Sequence, residues 1–232
     1  MQRPSMNVYV DGFNLYNGLL RGGDHRRLDL VALFDTVFPS YEVRLVRYFT
    51  ADLKGKASPD DPGIVKRQQV YLRALATLDR LHIHRGHFEV RASRYRRRRP
   101  APGESALVDV WRPEEKGSDV NLATYLVRDA VRREADVFVV VSNDSDLEAP
   151  VRIVASELGK RVFLIFPHGF ESRDLMTCGH ERVVWISAGK LAASQLPNPV
   201  MSGRTPLFRP AQWLPDLDRA AIRDSRDGDP RK

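Results

Sequence analysis

The residues of this chain best suited to chemistry are four aspartates at the boundaries of regular segments. Asp144 and Asp146 follow the β-branched run VVVSN, and Asp11 ends the segment VYVD. Asp119 begins a segment with helical spacing, DVNLATYLVRDA. Ligands of parallel α/β sheets bind beyond the carboxyl ends of the strands, so we expect these side chains to converge there. Carboxylates crowded in this way take up protons or bind a cation, and oxygen ligands suit Mg²⁺ or Mn²⁺.

Helix capping is the simpler role for each aspartate, because a carboxylate at a helix start accepts hydrogen bonds from unpaired backbone N–H groups. Capping by itself is enough to explain Asp144 or Asp146. At the start of the helix predicted from residue 119, Ser118 is an equally good cap, so Asp119 is not needed for capping. Asn14, three residues after Asp11, has two possible roles as well. Its amide either orients a metal ligand, a water or a phosphate oxygen, or it caps the first helix.

Strands alternate with helices through the first 190 residues. The strongest strand segments, at residues 136–142 and 161–167, are unbroken apolar runs, which is typical of a parallel sheet covered on both faces. Apolar spacing predicts helices at residues 27–38, 64–81, 119–134 and 147–159. We therefore predict the α/β class, with three α/β/α layers around a mainly parallel central sheet.

Three regions follow from composition. Residues 1–6 are predicted to be an N-terminal extension and residues 7–190 a single α/β domain. Residues 191–232 are predicted to be a proline-rich charged tail with at best one short helix at 214–224. Trp213 or Phe208 is the expected contact of this tail with the domain.

Three segments stand in a characteristic order: VDGFNLYNG at residues 10–18, EEKGSDVNLATYLVRDA at 114–130 and VVVSNDSDLEAPVRIVASELGKRVFLI at 139–165. Together they resemble the NYN domains, a LabA-like group of the PIN-like nuclease superfamily, over roughly residues 7–190. One departure is Asn143, where many relatives have glycine. The resemblance implies a PIN-like, Rossmann-like fold.

The resemblance also implies roles for single residues. The aspartates match the acidic metal-binding positions of the family, which are Asp11, Asp119, Asp144 and Asp146. Asn14 matches a characteristic asparagine, and Lys116 precedes the second acidic position as in relatives. The implied function is a ribonuclease dependent on Mg²⁺ or Mn²⁺, in which the aspartates hold a metal-activated water that hydrolyses RNA phosphodiester bonds. The alternative is a non-catalytic RNA-binding or regulatory module.

A formal net charge of +7 and a pI of about 9.7 favour an anionic partner such as RNA. The densest basic run lies in residues 91–105, predicted to be a loop, with Tyr95 inside it and Trp111 nearby for stacking on bases. The candidate RNA contacts are Arg94, Arg96, Arg97, Arg98, Arg99 and Lys116. The alternative is a solvated basic loop.

Other chemistries lack their motifs. The chain has no G-x-G-x-x-G, Walker A or G-x-S-x-G sequence, and Cys178, its single cysteine, excludes an internal disulfide. His82 and His84 are interpreted as ordinary strand residues because further zinc ligands are missing nearby. No apolar run approaches about 20 residues and no signal-peptide core precedes the first strand, so we expect a cytoplasmic protein, as a monomer or a homo-oligomer.

Overall fold

The computed structural model describes residues 2–55 and 61–214. Seven strands form the central sheet: β1 (Ser5–Asp11), β2 (Glu42–Asp52), β3 (Leu81–Arg96), β4 (Leu107–Lys116), β5 (Val137–Val141), β6 (Arg161–Ile165) and β7 (Arg182–Val184). Their order is β4-β3-β2-β1-β5-β6-β7, and all neighbours are parallel except β3 and β4. This confirms the mainly parallel sheet that the unbroken apolar segments predict.

Helices cover both faces of the sheet. They are α1 (Gly12–Leu15), α2 (Leu30–Val37), α3 (Ile64–Leu75), α4 (Ser118–Val131), α5 (Glu148–Arg152), α6 (Arg173–Met176) and α7 (Ala188–Ala193). A π-helical turn continues α1 over Tyr16–Leu20, and another continues α5 over Ile153–Glu157. Gly159, with φ +60°, follows the second turn and ends that helical segment as expected.

Two apolar cores separate the three layers. Val8 and Val10 of β1 point into the core that α2, α3 and α7 cover, whereas Tyr9 points into the core beneath α4, α5 and α6. The alternation follows from the two-residue period of a strand, and burial on both sides explains why these strands carry no polar face. The three-layer α/β/α architecture is therefore confirmed.

Three segments differ from the sequence prediction. The basic stretch 91–105 is not all loop, because β3 continues to Arg96 through pairing with β4. The predicted helix 64–81 is shorter, since α3 ends at Leu75 and Leu81 already pairs with β2. β1 begins at Ser5, inside the predicted extension, and Ser5 is tied to Asp136 by two hydrogen bonds of 2.7 and 2.8 Å. Strand pairing decides all three boundaries.

Residues 191–214 pack on the side of the domain formed by α2 and α3 and add buried side chains to its apolar core. They include a hairpin of β8 (Val200–Ser202) and β9 (Thr205–Leu207) that the sequence does not predict. The short helix predicted at residues 214–224 lies, except for Leu214, outside the described residues. The guanidinium of Arg27, 1 % exposed, donates hydrogen bonds to Asn198 and to the Leu207 carbonyl. Trp213 is 8 % exposed and lies edge-on to Tyr71, whereas Phe208 is 61 % exposed. Trp213 is thus the anchoring aromatic residue.

Across the described ranges, the helices are too short or too polar for any of them to traverse a lipid bilayer.

Candidate metal centre

Asp11 is the last residue of β1, at the centre of the sheet and at the carboxyl edge of its strand. It caps α1, because its Oδ1 accepts a hydrogen bond of 3.0 Å from the Asn14 backbone N–H. Its Oδ2 accepts a hydrogen bond of 2.9 Å from the hydroxyl of Ser142, the residue that follows β5. Asp11 is 6 % exposed, so two hydrogen bonds hold a nearly buried carboxylate in one orientation.

Asp144 is held against Asp11 through the same hydroxyl. Ser142 Oγ accepts a 3.0 Å hydrogen bond from the Asp144 backbone N–H while it donates to Asp11. Asp144 also caps the short 3-10 turn Ser145–Leu147, since its Oδ1 accepts from the Asp146 N–H at 3.0 Å. Asp11 and Asp144 therefore both act as caps, and capping occupies one oxygen of Asp144 and leaves the other for a further contact.

Asp119 lies in the first turn of α4 and caps nothing. The N-cap is Gly117, with φ +94°, and the Ser118 N–H donates instead to Glu115 Oε1 at 3.1 Å. The expectation that Ser118 caps this helix is therefore wrong, but its consequence stands: the carboxylate of Asp119 is not used at the helix terminus. Gly86 of β3 allows the end of β4 to lie close to it, because a Cβ at position 86 would lie 2.3 Å from the Lys116 carbonyl oxygen.

One oxygen each from Asp11, Asp119 and Asp144 lies within 4.8 Å of the other two. Burial raises the pKa of Asp11, and the charge of Asp144 adds to that effect against the hydrogen bonds from Asn14 and Ser142. The pKa of Asp119 is raised to about 6. The causes, largest first, are burial and the negative charges of Asp11, Asp144, Glu115 and Asp146. Raised values in two members mark a site with surplus negative charge.

The donor set fits a hard divalent cation. All three groups are carboxylates from different elements, β1, α4 and the segment after β5, and they face a common point. Mg²⁺ and Mn²⁺ prefer such oxygen ligands, whereas zinc sites favour histidine or cysteine. A cation there would offset both causes of the raised pKa values, which are burial first and the negative charge of neighbouring carboxylates second.

The other two predicted members lie around this trio. Asp146 is exposed and stands outside the group, although its charge reaches Asp119. Asn14 does not cap a helix with its side chain; its Oδ1 accepts a 3.0 Å hydrogen bond from the Asn143 N–H. Asn14 thereby ties α1 to the segment that carries Asp144.

Sequence reasoning missed two contributors, Ser142 and Glu115. Both stand inside the segments that drew attention to the aspartates, but only their long-range contacts reveal a role. His84 is confirmed as a packing residue: it stacks on Phe49 at 4.8 Å, and burial and Arg47 lower its pKa to about 4.

The predicted RNA contacts are spread along β3, β4 and the connection between them. Three of them are already in ion pairs: Arg94 with Asp109, Arg97 with Glu104 and Lys116 with Glu114. Within residues 2–55 and 61–214, Arg96, Arg98 and Arg99 form no ion pair and are exposed. The structure does not bring any of these cations into the carboxylate group.

Comparison with known proteins finds a similar sequence and a solved structure that matches in part. The chain is 32 % identical over 234 residues to 6-hydroxy-3-succinoylpyridine 3-monooxygenase HspA of Pseudomonas putida (strain DSM 28022 / S16), covering 89 % of this chain and 74 % of that protein. A crystal structure of a protein of unknown function from Vibrio parahaemolyticus RIMD 2210633 matches with a TM-score of 0.49 and 18 % identity. That match covers 81 % of this chain and 95 % of the other.

The sequence profile of the NYN domain matches residues 5–182, which contain the first six strands of the central sheet in chain order and the three clustered aspartates. The matched range begins with the first residue of β1 and ends at the first residue of β7. This chain therefore belongs to the NYN domain family.

Proposed function

We propose that this chain is a LabA-like NYN protein of the cytoplasm and a ribonuclease dependent on Mg²⁺ or Mn²⁺. The observation that carries the proposal is the convergence of Asp11, Asp119 and Asp144 within 4.8 Å. A protein that only bound RNA phosphates would gain from losing these charges. Their retention at the carboxyl edge of the sheet, where such folds bind ligands, favours a cation bridging protein and phosphate.

Each residue has a defined task in this proposal. Asp11 and Asp144 present oxygens in orientations that the Ser142 hydroxyl fixes. Asp119 adds the third oxygen, and Asp146 assists from the exposed side. Asn14 keeps the segment after β5 in place through Asn143.

An ion held by Asp11, Asp119 and Asp144 would stabilise charge on a phosphoryl oxygen and lower the pKa of a water molecule. The carboxylates orient the attacking water and accept its proton. The bond between phosphorus and the 3′ oxygen breaks as the water oxygen joins phosphorus, and the leaving 3′ oxygen takes up a proton from solvent. The products are therefore expected to carry 5′-phosphate and 3′-hydroxyl ends.

The test is cleavage of end-labelled single-stranded RNA by purified protein with Mn²⁺, with Mg²⁺ and with EDTA. Asp144→Asn is the active-site variant, and Asp24→Asn, at an exposed turn residue, is the matched control. We expect the control to cleave like the wild type and Asp144→Asn to lose cleavage while RNA binding is retained or tightened. Cleavage that persists in EDTA or in Asp144→Asn contradicts the mechanism. RNA binding without cleavage under every condition favours the non-catalytic module.

The relative HspA raises a second candidate, oxygenation of a small aromatic acid. The observation that favours it is a narrow apolar cavity next to Gly12 and Phe13, with Tyr48 and Trp213 in its wall and Arg26 as a cation. Its volume of about 70 Å³ is roughly half that of a cavity that holds benzene, so such a ligand requires the cavity to open. This makes the ribonuclease the better-supported proposal.

The two candidates are separated by one assay. The protein is incubated with 6-hydroxy-3-succinoylpyridine, O₂ and reduced nicotinamide or flavin as the source of two electrons. Oxygen uptake coupled to loss of the pyridine, insensitive to Asp144→Asn, favours the oxygenase. No consumption of either compound, together with RNA cleavage, favours the nuclease.

A further inference from the structure

Strands β3 and β4 form an antiparallel arm, defined here as residues 87–116, that extends from the acidic centre. Its register runs from His87 opposite Lys116 to Arg96 opposite Leu107. Residues opposite each other in an antiparallel pair point to the same face, and faces alternate along the strand. The pairs Phe88–Glu115, Ala92–Trp111 and Arg96–Leu107 therefore share one face, named the site face.

The base of the site face belongs to the acidic centre. Glu115 accepts a hydrogen bond from the Ser118 N–H and raises the pKa of Asp119. Phe88, opposite Glu115, lies edge-on to Phe13 with ring centroids 5.6 Å apart. A ligand that follows the site face toward its base is thereby led to the carboxylates.

Trp111 stands in the middle of the site face with its ring uncovered. It is 68 % exposed, and its strand partner is Ala92, which is too small to cover an indole. Among the described residues, no aromatic ring or guanidinium stacks on Trp111, whereas Tyr95 on the opposite face lies 5.9 Å from the guanidinium of Arg112. The site face thus presents an open stacking surface.

The tip of the arm carries cations that the protein itself does not neutralise. Arg96, Arg98 and Arg99 are exposed and form no ion pair in the part of the chain that the structure describes. On the strands themselves the acids of both faces pair with neighbouring arginines: Asp109 with Arg94 on the site face, and Glu89 with Arg91 and Glu114 with Arg112 on the opposite face. Unpaired positive charge is therefore concentrated beyond the end of the site face.

We propose that the site face binds single-stranded nucleic acid, with Trp111 stacked on an unpaired base between the tip arginines and the carboxylates. Trp111 is four residues from Glu115 and Leu107 is eight, which is about 14 and 27 Å at about 3.4 Å per residue. Only a polymer reaches from one end to the other. Stacking on a side chain requires a base that is free of its duplex partner, so the substrate class is single-stranded. The inference rests on the proposed function for the role of the acidic end only.

The test measures equilibrium binding of labelled oligonucleotides in EDTA, so that no cleavage or metal binding contributes. The ligands are a 20-nucleotide strand as RNA and as DNA, and the duplex of the same sequence. The proteins are the wild type, Trp111→Ala, Trp111→Phe and the matched control Tyr95→Ala, a variant of the same arm on its opposite face. Circular dichroism confirms the fold of each variant.

We expect Trp111→Ala to weaken single-strand binding by about five- to 150-fold, as for the loss of one base–aromatic stack. Trp111→Phe is expected to restore most of the affinity, and Tyr95→Ala and duplex binding are expected to change less than twofold. The salt dependence should stay the same in Trp111→Ala. It should flatten by about 0.7 in log–log slope for each tip arginine replaced by serine, since only the latter removes phosphate contacts.

Equal losses for single strand and duplex, or equal losses in Trp111→Ala and Tyr95→Ala, overturn the proposal. Self-association of the wild type that disappears in Trp111→Ala, with unchanged nucleic-acid binding, assigns the site face to a second copy of the chain and also overturns it. The binding assay contains no metal, so its result does not depend on the nuclease activity. Loss of single-strand binding in Trp111→Ala, in a protein that does not cleave RNA in the metal-dependent assay, refutes the proposed nuclease but not this inference. Cleavage without a stack refutes this inference alone.

Discussion

Replacing Asp119 by asparagine is expected to stabilise the protein when no metal is bound. The pKa of Asp119 is raised from 3.8 to about 6, mainly by burial and by the charges of Asp11 and Asp144. The folded state thus holds this proton more tightly than the unfolded state, so ionising Asp119 opposes folding. At about 1.36 kcal/mol for each tenfold change in proton affinity, a rise in pKa from 3.8 to about 6 corresponds to at most about 3 kcal/mol.

Solvent reduces that figure, because Asp119 is only half-buried, and we expect about 1–2 kcal/mol at pH 7.5. The direction of the pKa shift determines the pH range over which stability changes. A carboxyl with a raised folded-state pKa loses stability as pH rises from about 4 to about 6 and loses no more above that range. The advantage of Asp119→Asn over the wild type should therefore be small at pH 4 and complete by pH 7.

Urea denaturation followed by circular dichroism measures this difference at pH 4.5, 6 and 7.5 in EDTA, with Asp24→Asn as the exposed control. Mn²⁺ is then added. A ligand at 100 times its dissociation constant stabilises the folded state by about 2.7 kcal/mol, and the wild type should gain more than Asp119→Asn. A variant less stable than the wild type at pH 7.5 in EDTA, or an equal gain from Mn²⁺, refutes the assignment of Asp119 to a crowded cation site.

Three further predictions concern the supporting structure. Asp129→Ala should lower the free energy of unfolding by about 3–5 kcal/mol, because the buried guanidinium of Arg47, 2.7 Å away, loses its carboxylate partner. A free energy of unfolding within about 1 kcal/mol of the wild type, measured by urea denaturation, contradicts this. Asn14→Ala should reduce stability by about 1 kcal/mol through the lost hydrogen bond to Asn143 and reduce RNA cleavage much more, whereas a proportionate loss of both indicates a structural role alone. Deletion of residues 216–232, which lie outside the described range, should leave the melting temperature unchanged, and a fall of several degrees shows that they pack on the domain.

The sequence by itself determined the layers of this protein and the core of its candidate site. The periods of apolar residues are local properties, and they identified the parallel strands and most helices. Asp11 ends β1 and Asp144 comes soon after β5, and these two strands are parallel neighbours, so strand pairing alone brings the two aspartates together. Asp119 joined them because it begins a helix that packs on β1.

Only the tertiary structure decided what long-range contacts control. The composition of residues 91–96 indicates a loop, yet pairing with β4 makes these residues a strand and separates Trp111 from Tyr95 on opposite faces. Asp146 looks equivalent to Asp144 in sequence but is exposed, because the backbone turns into a 3-10 segment after Asp144. Hydrogen bonds such as the one from Ser142 to Asp11 join residues far apart in the chain. Such contacts depend on how the layers are packed, and no local pattern encodes them.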